Sequence, residues 1–295
     1  MAKFTEISAT LLFRQMRSQL ESEYSPNESR QFAMILLDHF AGIDIREMII
    51  NPGRIVERST QEKINQSVLR LLKHEPIQYI TGIAHFCGYE FRVNPDVLIP
   101  RPETEELVRL VLEDYADQHN LKIADLGTGS GCIAISLWLR FQDASVDAFD
   151  ISAEALTIAR KNNIEFGARV SFFQTDLCDP NLWPNENYDV IVSNPPYIPI
   201  KNKELLPINV AWFEPATALF VPDNDPLLFY RIIADFANSR LKKNGQVYME
   251  VHEDFADKVV ELFVKSSFDP VVLRKDINGK NRMVKARKSA DHTDY

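Results

Sequence analysis

From Leu121 onward the chain alternates short apolar runs with longer amphipathic stretches, and this alternation restricts its fold more than any other feature. Ile123-Ala124-Asp125-Leu126, Ser145 to Phe149, Val170 to Gln174 and Asp189-Val190-Ile191-Val192 read as buried strands. Ile133 to Leu139 and residues 153–165 read as helices between them. Parallel strands need a long crossover, usually a helix, so the pattern predicts an α/β fold: a parallel sheet with helices on both faces. Further on, Leu227 to Leu241 reads as a helix, Asn244-Gly245 as a turn, Val247 to Val251 as a strand and residues 254–266 as another helix. Val271-Val272-Leu273 and Arg282 to Ala286 flank Ile277-Asn278-Gly279-Lys280 as a closing antiparallel hairpin.

The strand ends carry the chemistry. The first runs into Gly127-Thr128-Gly129-Ser130-Gly131. Glycines there let the backbone approach a ligand closely, and the helix that follows begins with free N–H groups. The second ends at Asp150, nineteen residues after Gly131. An acid at such a place commonly accepts hydrogen bonds from the ribose hydroxyls of a nucleotide-like cofactor. The third ends at Asp176-Leu177, where Leu177 would face an adenine ring. No Gly-Lys-Ser/Thr follows the glycine turn, so it is not a phosphate loop. Its third glycine also comes two residues after the second, unlike the dinucleotide fingerprint. A nucleoside cofactor without a diphosphate fits, with S-adenosylmethionine the leading candidate.

The fourth strand delivers Ser193-Asn194-Pro195-Pro196-Tyr197. Two consecutive prolines cannot extend a ladder, and the residue before a proline avoids the helical region, so a rigid turn is expected. The Asn194 carboxamide, the Pro195 carbonyl and the Tyr197 ring can then share one small space. That set suits a planar nitrogen with two hydrogens. Upstream, Pro100 and Pro102 hold Arg101 in an extended segment, where it can reach a carboxylate or a backbone carbonyl. Glu103 or Thr104 then opens a helix with Leu107, Leu110 and Val111 on its inner face. Residues 198–225 form a long proline-rich connection, of a length that is usually functional, in which Phe213 to Leu219 is expected along the acceptor pocket.

Residues 4–85 read as helical throughout. Ile7, Leu11, Leu12, Met16 and Leu20 form one stripe, Phe32, Ile35, Leu36 and Phe40 a second, and Ile64, Val68, Leu71 and Leu72 a third. Ser25 is a candidate cap with Pro26 in the first turn, and Gly42 closes that helix. Residues 1–85 hold ten basic and ten acidic residues, so the net charge of −9 falls entirely on residues 86–295. That balance disfavours non-specific nucleic-acid binding. No apolar run is long enough for a membrane span, and the opening Met1-Ala2-Lys3-Phe4-Thr5-Glu6 lacks the layout of a signal peptide. Cys87, Cys132 and Cys178 are scattered, which suggests a reducing cytoplasm and neither a disulfide framework nor a metal site.

Three motifs occur in order: Leu98-Ile99-Pro100-Arg101-Pro102-Glu103-Thr104-Glu105, Asp125 to Gly131, and Ser193 to Ile198. Together they closely resemble the bacterial release-factor glutamine methyltransferases, the PrmC/HemK family, from about residue 75 to residue 287. Phe213-Glu214-Pro215 and Gly279-Lys280-Asn281-Arg282 look like further marks of that family. The resemblance implies a seven-stranded Rossmann-like methyltransferase domain at 98–288, an amino-terminal helical bundle at 1–83 that recognises substrate, a β-hairpin linker at 84–97 and a frayed tail at 289–295. It implies transfer of a methyl group from S-adenosylmethionine, leaving S-adenosylhomocysteine, to the glutamine side-chain amide in the Gly-Gly-Gln motif of peptide-chain release factors. Carried over, Gly127, Thr128, Gly129, Ser130, Gly131, Asp150, Leu177 and Asn194 bind cofactor, Asn194, Pro195, Pro196 and Tyr197 are catalytic, and these four with Arg101 hold the substrate. No metal, membrane or direct nucleic-acid partner is implied. The chain departs from the family at Leu177, where several relatives carry an aromatic, and at Val221-Pro222-Asp223-Asn224-Asp225, where they carry a glycine-rich run.

Neighbouring readings share the motif. An adenine amino-group methyltransferase also handles a planar nitrogen with two hydrogens, but flipped-base enzymes need a basic surface. A ribosomal-protein glutamine methyltransferase is nearer, though its relatives differ from the Arg-Pro-Glu-Thr-Glu segment. A non-catalytic translation-factor binding module would not need the intact glycine turn and Asp150.

Overall fold

The computed structural model describes residues 7–289, so residues 290–295 of the expected tail lie outside it. The chain divides into two compact units, one running to Gly82 and including Ile208–Phe213, the other comprising Ile83–Pro207 and the chain from Glu214.

The first unit is built on helices Ala9–Leu20, Pro26–Ala41 and Arg58–Leu71, with shorter ones at Ile45–Ile50 and Ile77–Thr81. Ser25 and Glu28 form a reciprocal capping box with Pro26 at the first helical position, and Gly42 ends the helix in a left-handed conformation. The unit is not helical throughout. Ile7–Ser8 pairs antiparallel with Ile55–Val56, a ladder too short to carry a strand pattern in sequence. Its core is Leu12, Met16, Leu20, Leu36, Leu37, Ile64, Val68 and Leu71, whereas Leu11 and Ile35 point to solvent.

The second unit holds a seven-stranded sheet in the order 268–275, 281–288, 241–250, 188–193, 122–126, 145–150, 170–174. The last five of these run parallel, and strand 281–288 is antiparallel to both of its neighbours, 241–250 and 268–275. Apolar residues of the central strands pack on both faces, giving one core against helices Pro102–Asp114 and Cys132–Arg140 and another against Leu228–Arg240 and Ala256–Lys265. The chain enters the sheet at 122–126, builds outward to 145–150 and 170–174, and then returns to 188–193 on the other side of the first strand. Such a reversal leaves a crevice at the carboxyl ends of the strands. Asn244-Gly245 is not a turn between helix and strand. It forms an irregularity within strand Leu241–Glu250, with Asn244 left-handed, because the pairing to 188–193 resumes only at Gln246.

Hairpin Ile83–Phe86 with Tyr89–Arg92 belongs to this second unit. Phe86 and Phe91 lie in its core, and Asn162 bonds the backbone of Arg92 in both directions, at 2.8 Å from its N–H and 3.1 Å to its carbonyl. The same Asn162 amide donates to the Ser130 carbonyl at 2.8 Å, so one buried side chain ties the hairpin to the glycine turn.

Among the described residues no helix is long and apolar enough to cross a membrane. The tightest glycine of the turn is Gly131: its φ is +79°, and an added Cβ would lie 3.1 Å from Ile135 and 3.2 Å from Ala159. Gly131→Ala is therefore expected to lower stability by about 2–3 kcal/mol through backbone strain and overpacking. An unchanged midpoint in chemical denaturation would show that the turn relaxes around a side chain.

Candidate active site

The register of the sheet sets the site. Leu126 lies opposite Phe149 on one side and Ser193 on the other, and Ser193 lies opposite Met249. The next residue along each strand is then Gly127, Asp150, Asn194 or Glu250, and these four stand in a row at the carboxyl edge. In front of them is a cleft of about 340 Å³, lined by Gly127, Gly129, Asp150, Leu177, Asn194, Pro195 and Pro196 among others.

Asp150 braces the glycine turn as well as facing the cleft. Its carboxylate accepts from Gly129 N–H at 2.8 Å and from Ser152 N–H at 2.9 Å, one bond to each oxygen. Each oxygen keeps acceptor capacity toward the cleft. Burial pushes this carboxyl above its ordinary pKa, and backbone N–H groups of Ser152, Gly129 and Ile151 pull the other way. Gly127 and Gly129 both have positive φ, and an added Cβ on either would meet nothing within 4 Å, so the backbone there is bared to a ligand. Ile151, Leu177 and Cys178 continue the wall beyond Asp150. The set fits a nucleoside: an acidic acceptor pair, an apolar slot beside it and open backbone across from it.

The other members of the turn face elsewhere. Thr128 and Ser130 are buried and do not line the cleft, and Gly131 packs between helices. The Thr128 hydroxyl donates to Asp125 at 2.6 Å, and burial pushes the Asp125 carboxyl up to about 7. Tyr197 is also absent from the cleft wall. Its hydroxyl turns inward and donates to Glu250 at 2.9 Å. Burial, then the neighbouring Glu250, holds this phenol well above its ordinary pKa.

Arg101 does not line the cleft either. Its guanidinium is paired with Glu214, a nearly inaccessible carboxylate that also accepts from Ile99 N–H at 3.2 Å. Burial raises the Glu214 carboxyl, and the charge of Arg101 opposes this. The pair joins two walls, since Val97 and Leu98 border the cleft on one side and Pro215, Thr217 and Ala218 on the other. The two ends of the 198–225 connection meet in short parallel pairing of Ile198–Pro199 with Phe220–Val221 and a bond from Lys201 N–H to Asp223 at 2.8 Å. Sequence reasoning missed Phe229 and Ile232, which close the cleft from helix Leu228–Arg240; the apolar stripe of that helix was their only signal. It also missed Glu250, although an apolar strand ending in an acid is the very pattern that singled out Asp150.

Residues 104–218 match the family model described as methyltransferase small domain, and residues 12–82 match the PrmC N-terminal domain. Together with the sheet order, the first match makes the second unit a Rossmann-like methyltransferase domain. A methyltransferase from Pyrococcus furiosus of known crystal structure shares this fold, with a TM-score of 0.51, 16% identity, and coverage of 76% of this chain and 98% of that one. A release factor glutamine methyltransferase of Bacteroides thetaiotaomicron is 42% identical over 273 residues, spanning 92% of this chain and 98% of that protein. Its counterpart in Flavobacterium psychrophilum is 39% identical over 282 residues, spanning 93% and 99%. The chain belongs to the release factor glutamine methyltransferase family.

Removing the Arg101 guanidinium strands a buried charge. Arg101→Ala is expected to cost about 2–3 kcal/mol, below the figure for a fully buried pair because the arginine is one-third exposed, at 33%. Chemical denaturation measures this, and a loss under about 0.5 kcal/mol would mean that Glu214 finds another partner.

Proposed function

We propose that this protein is an S-adenosylmethionine-dependent protein-(glutamine-N5) methyltransferase that acts in the cytoplasm on the Gly-Gly-Gln glutamine of peptide-chain release factors. The observation that carries the reading is the placement of Asn194 in one cleft with Gly127 and Asp150, so that an acceptor for a planar amide borders a nucleoside-shaped slot. Support for the substrate comes from the two relatives, both named as release factor glutamine methyltransferases and matched along nearly their whole length.

In this reading Asp150 would accept from the ribose hydroxyls, Leu177 would pack against the adenine with an aliphatic face, and the Gly127 to Gly129 backbone would border the rest of the cofactor. S-adenosylmethionine, when bound, supplies a methyl group activated by its sulfonium leaving group. The protein needs no strong base at the start, because what it must do is orient a poor nucleophile. The amide nitrogen of glutamine is planar, with its lone pair delocalised into the carbonyl. Asn194 Oδ1 and the Pro195 carbonyl accept its two hydrogens, and the Pro195-Pro196 turn keeps those acceptors from rotating. As the nitrogen gains positive charge its N–H groups become stronger donors, so the same two acceptors bind the transition state more tightly than the ground state. Phe220, Phe229 and Ile232 contribute apolar walls that limit water at this point. The proton leaves to solvent after transfer. The amino-terminal unit, which matches its own family model, is assigned to holding the protein substrate.

Asn194→Ala is expected to slow single-turnover methyl transfer to purified release factor roughly a hundred- to a thousandfold at saturating cofactor. Retention of more than about a tenth of the rate would remove Asn194 from acceptor recognition. DNA, ribosomal RNA and ribosomal proteins serve as competing acceptors in the same assay, and preferential labelling of any of them would overturn the substrate assignment. Asp150→Ala should weaken S-adenosylmethionine binding by about 1–3 kcal/mol in calorimetry, the scale of charge-assisted hydrogen bonds. An unchanged affinity would take Asp150 out of the cofactor site.

A further inference from the structure

We infer that Thr104 and Glu250 decide which way round the Asn194 carboxamide sits, so that its oxygen and not its NH2 is presented to the substrate amide. The inference rests on the reading of Asn194 as the amide acceptor and adds two positioning residues to it.

Glu250 is the last residue of strand Leu241–Glu250 and is 2% exposed. Both its oxygens accept from hydroxyl groups: Oε2 from Thr104 at 2.6 Å and Oε1 from Tyr197 at 2.9 Å. Thr104 is itself buried, in the first turn of helix Pro102–Asp114. A threonine hydroxyl has one proton, and here that proton points at Glu250. Toward Asn194 the same oxygen offers only lone pairs. Asn194 Nδ2 lies 3.1 Å from Thr104 Oγ1, at donating distance. A reversed carboxamide would set Asn194 Oδ1 against those lone pairs, two acceptors facing each other in a buried place. The polarity therefore runs one way, from Asn194 to Thr104 to Glu250, and leaves Asn194 Oδ1 for the cleft.

The chain of bonds needs a carboxylate at its root, since an ionised carboxylate only accepts while a carboxamide also donates. A glutamine at position 250 could donate to Thr104 Oγ1, free the threonine proton for Asn194 Oδ1 and so reverse the amide. Burial raises the Glu250 carboxyl above its ordinary pKa, while the bonds from Thr104 and Tyr197 and the nearby charge of Arg282 favour the ionised form. Arg282 is held in place by Asp276 at 3.1 Å and by the Val251 carbonyl at 3.4 Å. Thr104 and Glu250 need touch no reacting atom; they act through Asn194.

The test compares Thr104→Val, which keeps the side-chain shape and removes the hydroxyl, with Thr104→Ser, which keeps the hydroxyl, and with Glu250→Gln and Asn194→Ala, all in the full-length protein. Steady-state and single-turnover methyl transfer to purified release factor are measured beside S-adenosylmethionine affinity by calorimetry. Thr104→Val and Glu250→Gln should each lower kcat roughly ten- to a hundredfold. Cofactor affinity and the KM for release factor should stay within about threefold of the wild type, and Thr104→Ser should recover the rate to within about the same factor. If Thr104→Val loses cofactor affinity, Thr104→Ala, which makes no new steric demand, is judged by the same criteria. A hydroxyl-free variant with more than about half the wild-type rate, beside an inactive Asn194→Ala, would overturn the relay and leave the acceptor role of Asn194 standing. A rate lost in Thr104→Ser as fully as in Thr104→Val would mean that shape and not the hydroxyl matters, and would also overturn it. An Asn194→Ala variant near the wild-type rate would overturn both the relay and the reading beneath it.

Discussion

The parallel ladder that sets Phe149, Leu126, Ser193 and Met249 side by side is the constraint on which the rest of the site depends. On each of those strands this residue is buried, and the next one along is an acid, a glycine, a carboxamide or a second acid. A slip of one residue in any strand would exchange the side chains packed in the two cores and move its terminal group to the other face of the sheet. The apolar pattern that builds the core therefore also aligns the reactive edge. This is why groups as far apart in sequence as Gly127 and Glu250 can act within one small volume without a dedicated loop to gather them.

Buried charge is the second theme. Asp150, Glu214 and Glu250 are carboxylates that the interior penalises, and each is surrounded by donors instead of being left bare. Burying an ion in this way contributes little net stability compared with an apolar replacement. What it supplies is direction: a carboxylate with donors on both oxygens fixes where those donors point. Asp150 thereby shapes the backbone of the glycine turn, Glu214 fastens the Arg101 segment to the far cleft wall, and Glu250 holds Thr104 and Tyr197.

Much of this was legible in the chain itself, because the informative features are local. An apolar run followed by Gly127 or Asp150, or by a carboxamide and two prolines, is written in consecutive residues, and the helix at 153–165 has the bounds that its pattern predicts. The parts that were not legible depend on long-range partners. Arg101 reads as pinned between prolines, but nothing nearby indicates that Glu214 would occupy it. Tyr197 reads as a ring facing the ligand, and only the fold shows that a strand over fifty residues later turns its hydroxyl inward. Asn244-Gly245 reads as a turn because its composition is that of one, and the ladder with 188–193 overrides it. In the first unit, a stripe drawn through large residues includes Leu11 and Ile35, which face solvent, and omits Ala33 and Leu37, which are fully buried. Side-chain size biases such a stripe, and packing geometry corrects it.

Asn162 bears on how such a domain can be recombined. Its one carboxamide accepts from Arg92 N–H and donates to the carbonyls of Arg92 and Ser130, so three backbone groups from two separate motifs converge on it. Aspartate would keep the acceptor and lose both donors, leucine would lose all three bonds, and glutamine would carry the same group on a longer stem. The position is thus closed to the usual conservative exchanges. By the same token the hairpin is not an interchangeable joint. A methyltransferase domain excised without it, or fused to a foreign connector, would leave the Asn162 group unanswered directly behind the glycine turn. Hairpin and turn are thus one structural piece although they are separate in the chain.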